Sequence, residues 1–142
     1  MPDLMRDVDN WAAGLGAASR GDSVWRLSAF RLASYALHLA WVDASTLARA
    51  RLTEPLAGQL YRAVGSVAAN IAEGYSRSSG RDRARLFEYA LGSARESVVW
   101  YRAAEPSLGR TISESRQDIQ QRIVRLLLVA IPHERRRGRI QA

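Results

Sequence analysis

Apolar residues recur along most of this chain at the three- and four-residue spacings of an amphipathic helix, and no run alternates with the two-residue period of a strand. The pattern predicts an all-α fold: an antiparallel up-down-up-down four-helix bundle over residues 22–131, preceded by a loose leader (1–21) and followed by a short basic tail (132–142). Helix one opens at an Asp22/Ser23 cap and runs to about Ala48, with Trp25, Phe30, Ala33, Leu37, Ala40 and Val42 mostly inward. Helix two starts at a Thr53 cap with Pro55 in its first turn, carries Leu56, Leu60, Ala63, Val64, Val67 and Ile71 on one face, and ends at Gly74 as a left-handed cap. Helix three opens with a Ser79/Asp82 capping box and buries Leu86, Phe87, Ala90, Leu91, Ala94, Val98 and Tyr101. Helix four opens at Thr111/Glu114, carries Ile112, Ile119, Ile123, Leu126, Leu127 and Ala130, and is stopped by Pro132.

A polar stripe interrupts this pattern. Each helical residue advances by about 100°, so Ser66, Asn70 and Glu73 fall along one flank of helix two, with Arg62 and Arg77 continuing the line. On helix three, Ser93 and Glu96 lie beside Gly92. A mid-helix glycine costs about 1 kcal/mol relative to alanine, which suggests close approach to a neighbouring backbone. The expectation is a polar network at the helix two–helix three seam or at a subunit contact, fixing register, with Arg62 or Arg77 as countercharge. General acid–base work is the competing use, but no nucleophile with an adjacent base accompanies these carboxylates. A di-metal site needs Glu-x-x-His pairs, and neither His38 nor His133 follows a glutamate by three residues. Phosphate-binding loops and zinc spacings are also missing. The reading is of no enzyme, no cofactor, no metal and no small-molecule substrate.

Charge adds a candidate partner. The 142 residues carry net +7, from 21 basic residues, all arginine, against 14 acidic. Arginine's planar fork suits phosphate and carboxylate, although a GC-rich genome also explains the missing lysine. Two clusters stand out: Arg77, Arg81, Arg83 and Arg85, near Tyr75, and Arg135, Arg136, Arg137 and Arg139 in the tail. Both are candidates for RNA or DNA binding, a solvated face being the plainer reading. Cysteine is absent, which fits a reducing cytoplasm. The first residues carry three aspartates and no apolar run, and Val124–Pro132 is too short to span a bilayer, so no membrane association is expected.

Two blocks of residues are similar to a known signature. Leu56, Gln59, Leu60, Arg62 and Ala63, followed by Ser66-Val67-x-x-Asn70-Ile71-Ala72-Glu73-Gly74, resemble the first block of the bacterial four helix bundle proteins, also called 23S rRNA intervening-sequence proteins. Ala90-Leu91-Gly92-Ser93-x-x-Glu96 resembles the second, and the likeness spans about residues 25–131. The family's Phe-Pro-x-x-Glu turn is not visible in ARARLTEP. The resemblance implies an antiparallel bundle assembling into a homo-oligomer, commonly a ring of five, with no settled activity. A distant relative in architecture is the basic accessory protein of diversity-generating retroelements, which works with a reverse transcriptase and nucleic acid. Two functions therefore compete: an oligomer that binds nucleic acid through arginines, and a scaffold or accessory subunit that docks a protein through Trp41, Trp100 and Tyr101.

Overall fold

The computed structural model describes residues 3–140, with side chains described to residue 137. The described residues form seven α-helices and no strand. In chain order these are α1 (Leu4–Ala13), α2 (Ala17–Arg20), α3 (Ser28–Leu47), α4 (Glu54–Tyr75), α5 (Gly80–Ala103), α6 (Glu105–Leu108) and α7 (Arg110–Ile140), with a 3₁₀ turn at Ser23–Arg26. The four long helices pack in sequence, α3 on α4, α4 on α5 and α5 on α7, and α7 returns to α3. Between them lie Leu32, Ala36, Ala40 and Leu47 of α3 and Leu60, Val64, Val67 and Ile71 of α4. Phe87, Ala90 and Ala94 of α5 meet Ile123 and Leu127 of α7 in the same core. Alanines fill many of these core positions, among them Ala33, Ala36, Ala40, Ala90 and Ala94, beside the larger side chains. Among the described residues no helix is long and apolar enough to cross a membrane.

Several expected boundaries shift, each for an identifiable reason. Asp22 accepts from the Val24 N–H at 2.9 Å and caps the 3₁₀ turn; Leu27 is extended (φ −77°, ψ 119°), so α3 starts only at Ser28. The leader is a packed element. Asp3 caps α1 by accepting from Met5 and Arg6, Val8 is fully buried, and Trp11 stacks on His38 with ring centroids 5.4 Å apart. The Thr53 hydroxyl donates to the Leu47 carbonyl at 2.5 Å, so it satisfies the end of α3 and leaves α4 without a side-chain cap. Val42 and Ile112, expected inward, are exposed.

Gly74 stands one residue before the end of helix two, at Tyr75, and is not a left-handed cap. It lies inside α4, has no positive φ, and its missing Cβ makes room for the ring of Phe87, which an added carbon would meet at 2.9 Å. The positive φ expected there belongs to Gly109 (φ 88°), between α6 and α7, and α7 begins at Arg110 ahead of the expected Thr111 cap. Pro132 does not stop helix four either. The helix runs through it to Ile140: Ile131 just before it is packed in the core, and Glu134 just beyond it is buried beside Arg83. Residues 132–140 of the expected basic tail (132–142) thus continue α7, and 141–142 lie outside the described residues.

Candidate functional site

The polar stripe of α4 and α5 bonds to its own helices. Asn70 Nδ2 donates to the Ser66 carbonyl at 2.8 Å, and Arg77 donates to Glu73 at 2.8 Å. On α5, Ser97 Oγ donates to the Ser93 carbonyl at 2.8 Å, and Trp100 Nε1 donates to Glu96 at 3.1 Å. Ser66, Asn70 and Ser93 are half-buried, whereas Arg62, Glu73 and Glu96 are exposed. No described hydrogen bond joins any of them across α4 and α5, so the expected seam network is absent from the single chain. The close approach is also misplaced. Gly74 makes it, while a Cβ on Gly92 would meet nothing within 4 Å.

The polar network that does cross the core lies elsewhere, and of its members the sequence reading singles out only Tyr101, as a core or scaffold aromatic. Asp43 of α3 accepts from the Tyr101 hydroxyl of α5 at 2.8 Å and from Arg116 Nε of α7 at 2.8 Å. Ser113 Oγ donates to the Tyr101 carbonyl at 2.7 Å, and Gln117 donates to Ser113 at 3.0 Å. Burial, with the Asp43 charge adding to it, holds the Tyr101 phenol well above its ordinary value. Asp43 is positioned by helical period: Ala36, Ala40, Asp43 and Leu47 are all buried at spacings of four, three and four. A carboxylate on a core position requires a buried partner, and that is the available signal. Tyr101 and Arg116 supply the hydrogen bonds a buried carboxylate needs, and the network ties α3, α5 and α7 together.

The two arginine clusters meet at one end of the molecule, where α5 begins and α7 finishes. Arg83 lies 3.2 Å from Glu134, too oblique for a hydrogen bond but in full charge contact, and donates to the Tyr75 carbonyl at 2.7 Å while its guanidinium covers the Tyr75 ring. Arg137 reaches the same carboxylate at 3.0 Å, Arg135 pairs with Glu88, and Arg85 stands 3.8 Å from Asp82. Arg81, Arg85 and Arg135 line one cleft with Asp82 and Glu88. Folding therefore brings the clusters together and neutralises much of their charge within the chain. Arg81 and Arg136 are exposed and take no part in the described ion pairs; the Arg139 side chain lies outside the described residues. Of the scaffold aromatics, Tyr101 is core, Trp100 is half-buried and Trp41 is exposed. Among the described residues no group of three His, Cys, Asp or Glu could hold a metal ion.

Residues 34–127 match the family model described as 23S rRNA-intervening sequence protein. A crystal structure of a protein with unknown function from the S23 ribosomal protein family of Bacteroides thetaiotaomicron is similar in fold, with a TM-score of 0.68 at 21% identity over 72% of this chain and 97% of that one. No curated protein matches.

Proposed function

We propose a function from the premise that the chain belongs to the 23S rRNA-intervening sequence protein family: it is a non-enzymatic, self-associating antiparallel four-helix bundle that binds RNA or DNA through an arginine-rich end. The observation that carries this reading is the meeting of Arg77–Arg85 with Arg135–Arg137 at one end of α5 and α7. A single end offers few unpaired cations, because Glu73, Asp82, Glu88 and Glu134 engage most of them. Self-association multiplies each end, and weak phosphate contacts then sum to useful avidity. The resemblance supports five copies, which mass measurement in solution tests.

Binding of fluorescein-labelled single-stranded and duplex RNA is expected to weaken steeply with salt, since each neutralised phosphate releases counterions. Arg81→Ala combined with Arg136→Ala should lower the slope of log K against log salt by about two, roughly one for each phosphate no longer neutralised. Binding that is independent of salt, or of these two arginines, overturns the reading.

A second reading, a scaffold that docks a protein, rests on a different surface. Trp41 is 64% exposed and packs edge-on against Tyr61, with ring centroids 5.7 Å apart, which leaves an aromatic pair of α3 and α4 open to a partner. Trp41→Glu that lowers the oligomer mass assigns this pair to self-association; unchanged mass leaves it free for another protein.

A further inference from the structure

A groove runs along the outer boundary of α5 and α7. Its polar half is the arginine cleft described above; its apolar half, of about 520 Å³, is floored by Leu91, Gly92, Leu128, Ile131 and Pro132, and the two halves share Glu88 and Arg135. From α5 the groove takes positions 81, 82, 85, 88, 91, 92 and 95, which recur at the three- and four-residue spacings of a single helix face.

Two residues in this groove are poor choices for a helix, and the chain's own packing requires neither. Gly92 is exposed in the middle of α5 with open space where its Cβ would stand, unlike Gly74, whose missing Cβ the Phe87 ring needs. Pro132 sits inside α7 and has no N–H, so the Leu128 carbonyl loses its helical donor. Leu128 itself is 48% exposed in the same groove. A glycine without an internal reason marks a place where another backbone comes close.

The geometry points to this groove as the docking site for an amphipathic α-helix of a partner protein, its apolar stripe seated over Gly92 and Leu128 and its flanks acidic. Charge complementarity selects the flanks. Arg81, Arg85, Arg95 and Arg135 outnumber Asp82 and Glu88 along the groove, so an incoming carboxylate meets a surplus of guanidinium groups. Single-stranded nucleic acid shares the charge preference of the arginine half, but the apolar half has no aromatic among its lining residues on which a base could stack. Helix-in-groove docking needs only the apolar floor and the matching rim that are present. Both readings use Arg81, so a docked helix and nucleic acid at the arginine end compete for it.

The test uses the full chain and a fluorescein-labelled designed 16-residue helix with leucines at i, i+3, i+7 and i+10 and glutamates on both flanks. Polarisation titration is expected to show saturable binding at least tenfold tighter than for the same peptide with lysine flanks. Gly92→Trp fills the groove where nothing stands in its way, and should weaken the glutamate peptide at least tenfold at an unchanged melting temperature. Leu128→Glu, at an exposed position, should do the same and serves if the tryptophan variant does not fold. Equal binding of both peptides, or full binding by the blocked variants, overturns the proposal. So does a fall in oligomer mass in either variant, which assigns the groove to a second copy, or a loss of RNA affinity in Gly92→Trp, which assigns it to nucleic acid.

Discussion

The Tyr101 hydroxyl donates to the Asp43 carboxylate at 2.8 Å, across the core from α5 to α3 and over 58 residues of sequence. With Arg116 on the other side of the same carboxylate, three helices are tied at one buried charge. Asp43 is nearly inaccessible and the Arg116 side chain is mostly covered. Removing one member of such a pair leaves the other charge uncompensated, which costs more than the intact pair contributes. Asp43→Ala is expected to destabilise the fold by about 3 kcal/mol, and Tyr101→Phe, which deletes one hydrogen bond and keeps the ring, by about 1 kcal/mol. Urea denaturation of both variants measures the difference.

The same hydrogen bond sets an alkaline limit. An unfolded tyrosine titrates near pH ~10, and in the folded chain burial and the Asp43 charge keep the Tyr101 proton in place well above that. Below pH ~10 the phenol is protonated in both states and its contribution is intact. As pH rises further the unfolded state loses its proton first and binds fewer protons, so stability falls. Melting curves from pH 9 to 12 should show this decline in the native chain and a shallower one in Tyr101→Phe.

Gly74 and Gly92 respond oppositely to alanine. At Gly74 the added carbon lands 2.9 Å from the Phe87 ring and 3.2 Å from the Leu86 side chain. Overpacking of this kind costs about 1–3 kcal/mol, against a helix-propensity gain of at most about 1 kcal/mol. Gly74→Ala should therefore lower the melting temperature. Gly92→Ala meets nothing and should raise stability by about 0.5–1 kcal/mol. Thermal unfolding of the pair tests the sign at each position.

These two glycines also show what can be read from sequence. The helices themselves are legible, because apolar spacing follows directly from the geometry of the helix, and the Ser79 cap stands where the pattern puts it, accepting from the Asp82 N–H at 3.1 Å. Tertiary context is not legible. Gly74 followed by a polar stretch looks the same whether it caps a helix or admits a ring, and only the position of Phe87 on α5 decides. Pro132 reads as a terminator because the burial of Glu134 depends on Arg83, 51 positions earlier. Asp43 is easily passed over among alanines, although its position on the buried period already calls for a partner.

Glu134 secures the end of α7. Its side chain is 10% exposed and faces Arg83 and Arg137, and this cluster lies beyond the proline that weakens the helix. Glu134→Ala leaves the largely covered Arg83 without its countercharge and should cost about 2–3 kcal/mol. By contrast Glu73→Ala, whose pair with Arg77 is half-exposed, should cost under ~0.5 kcal/mol as a single-chain effect. Hydrogen exchange locates the change: amides of residues 133–137 should become less protected in Glu134→Ala while those of α4 keep their protection.

That small single-chain cost makes the α4 stripe a clean probe of assembly. Among the described residues of one chain, the Asn70 side chain bonds only the Ser66 carbonyl, and the Glu73 side chain only Arg77. Neither bond holds two helices together, so truncating both has little folding energy to remove. If the stripe instead meets a neighbouring copy, a polar side chain in a heterologous interface selects register, and its removal leaves the copy's partner group unpaired. Asn70→Ala with Glu73→Ala is therefore expected to lower the oligomer mass measured by light scattering and to make the melting temperature depend more strongly on protein concentration. The isolated chain should keep its helical circular dichroism at dilution. Unchanged mass and an unchanged melting temperature would remove the stripe from the interface and leave it as a solvated flank of α4.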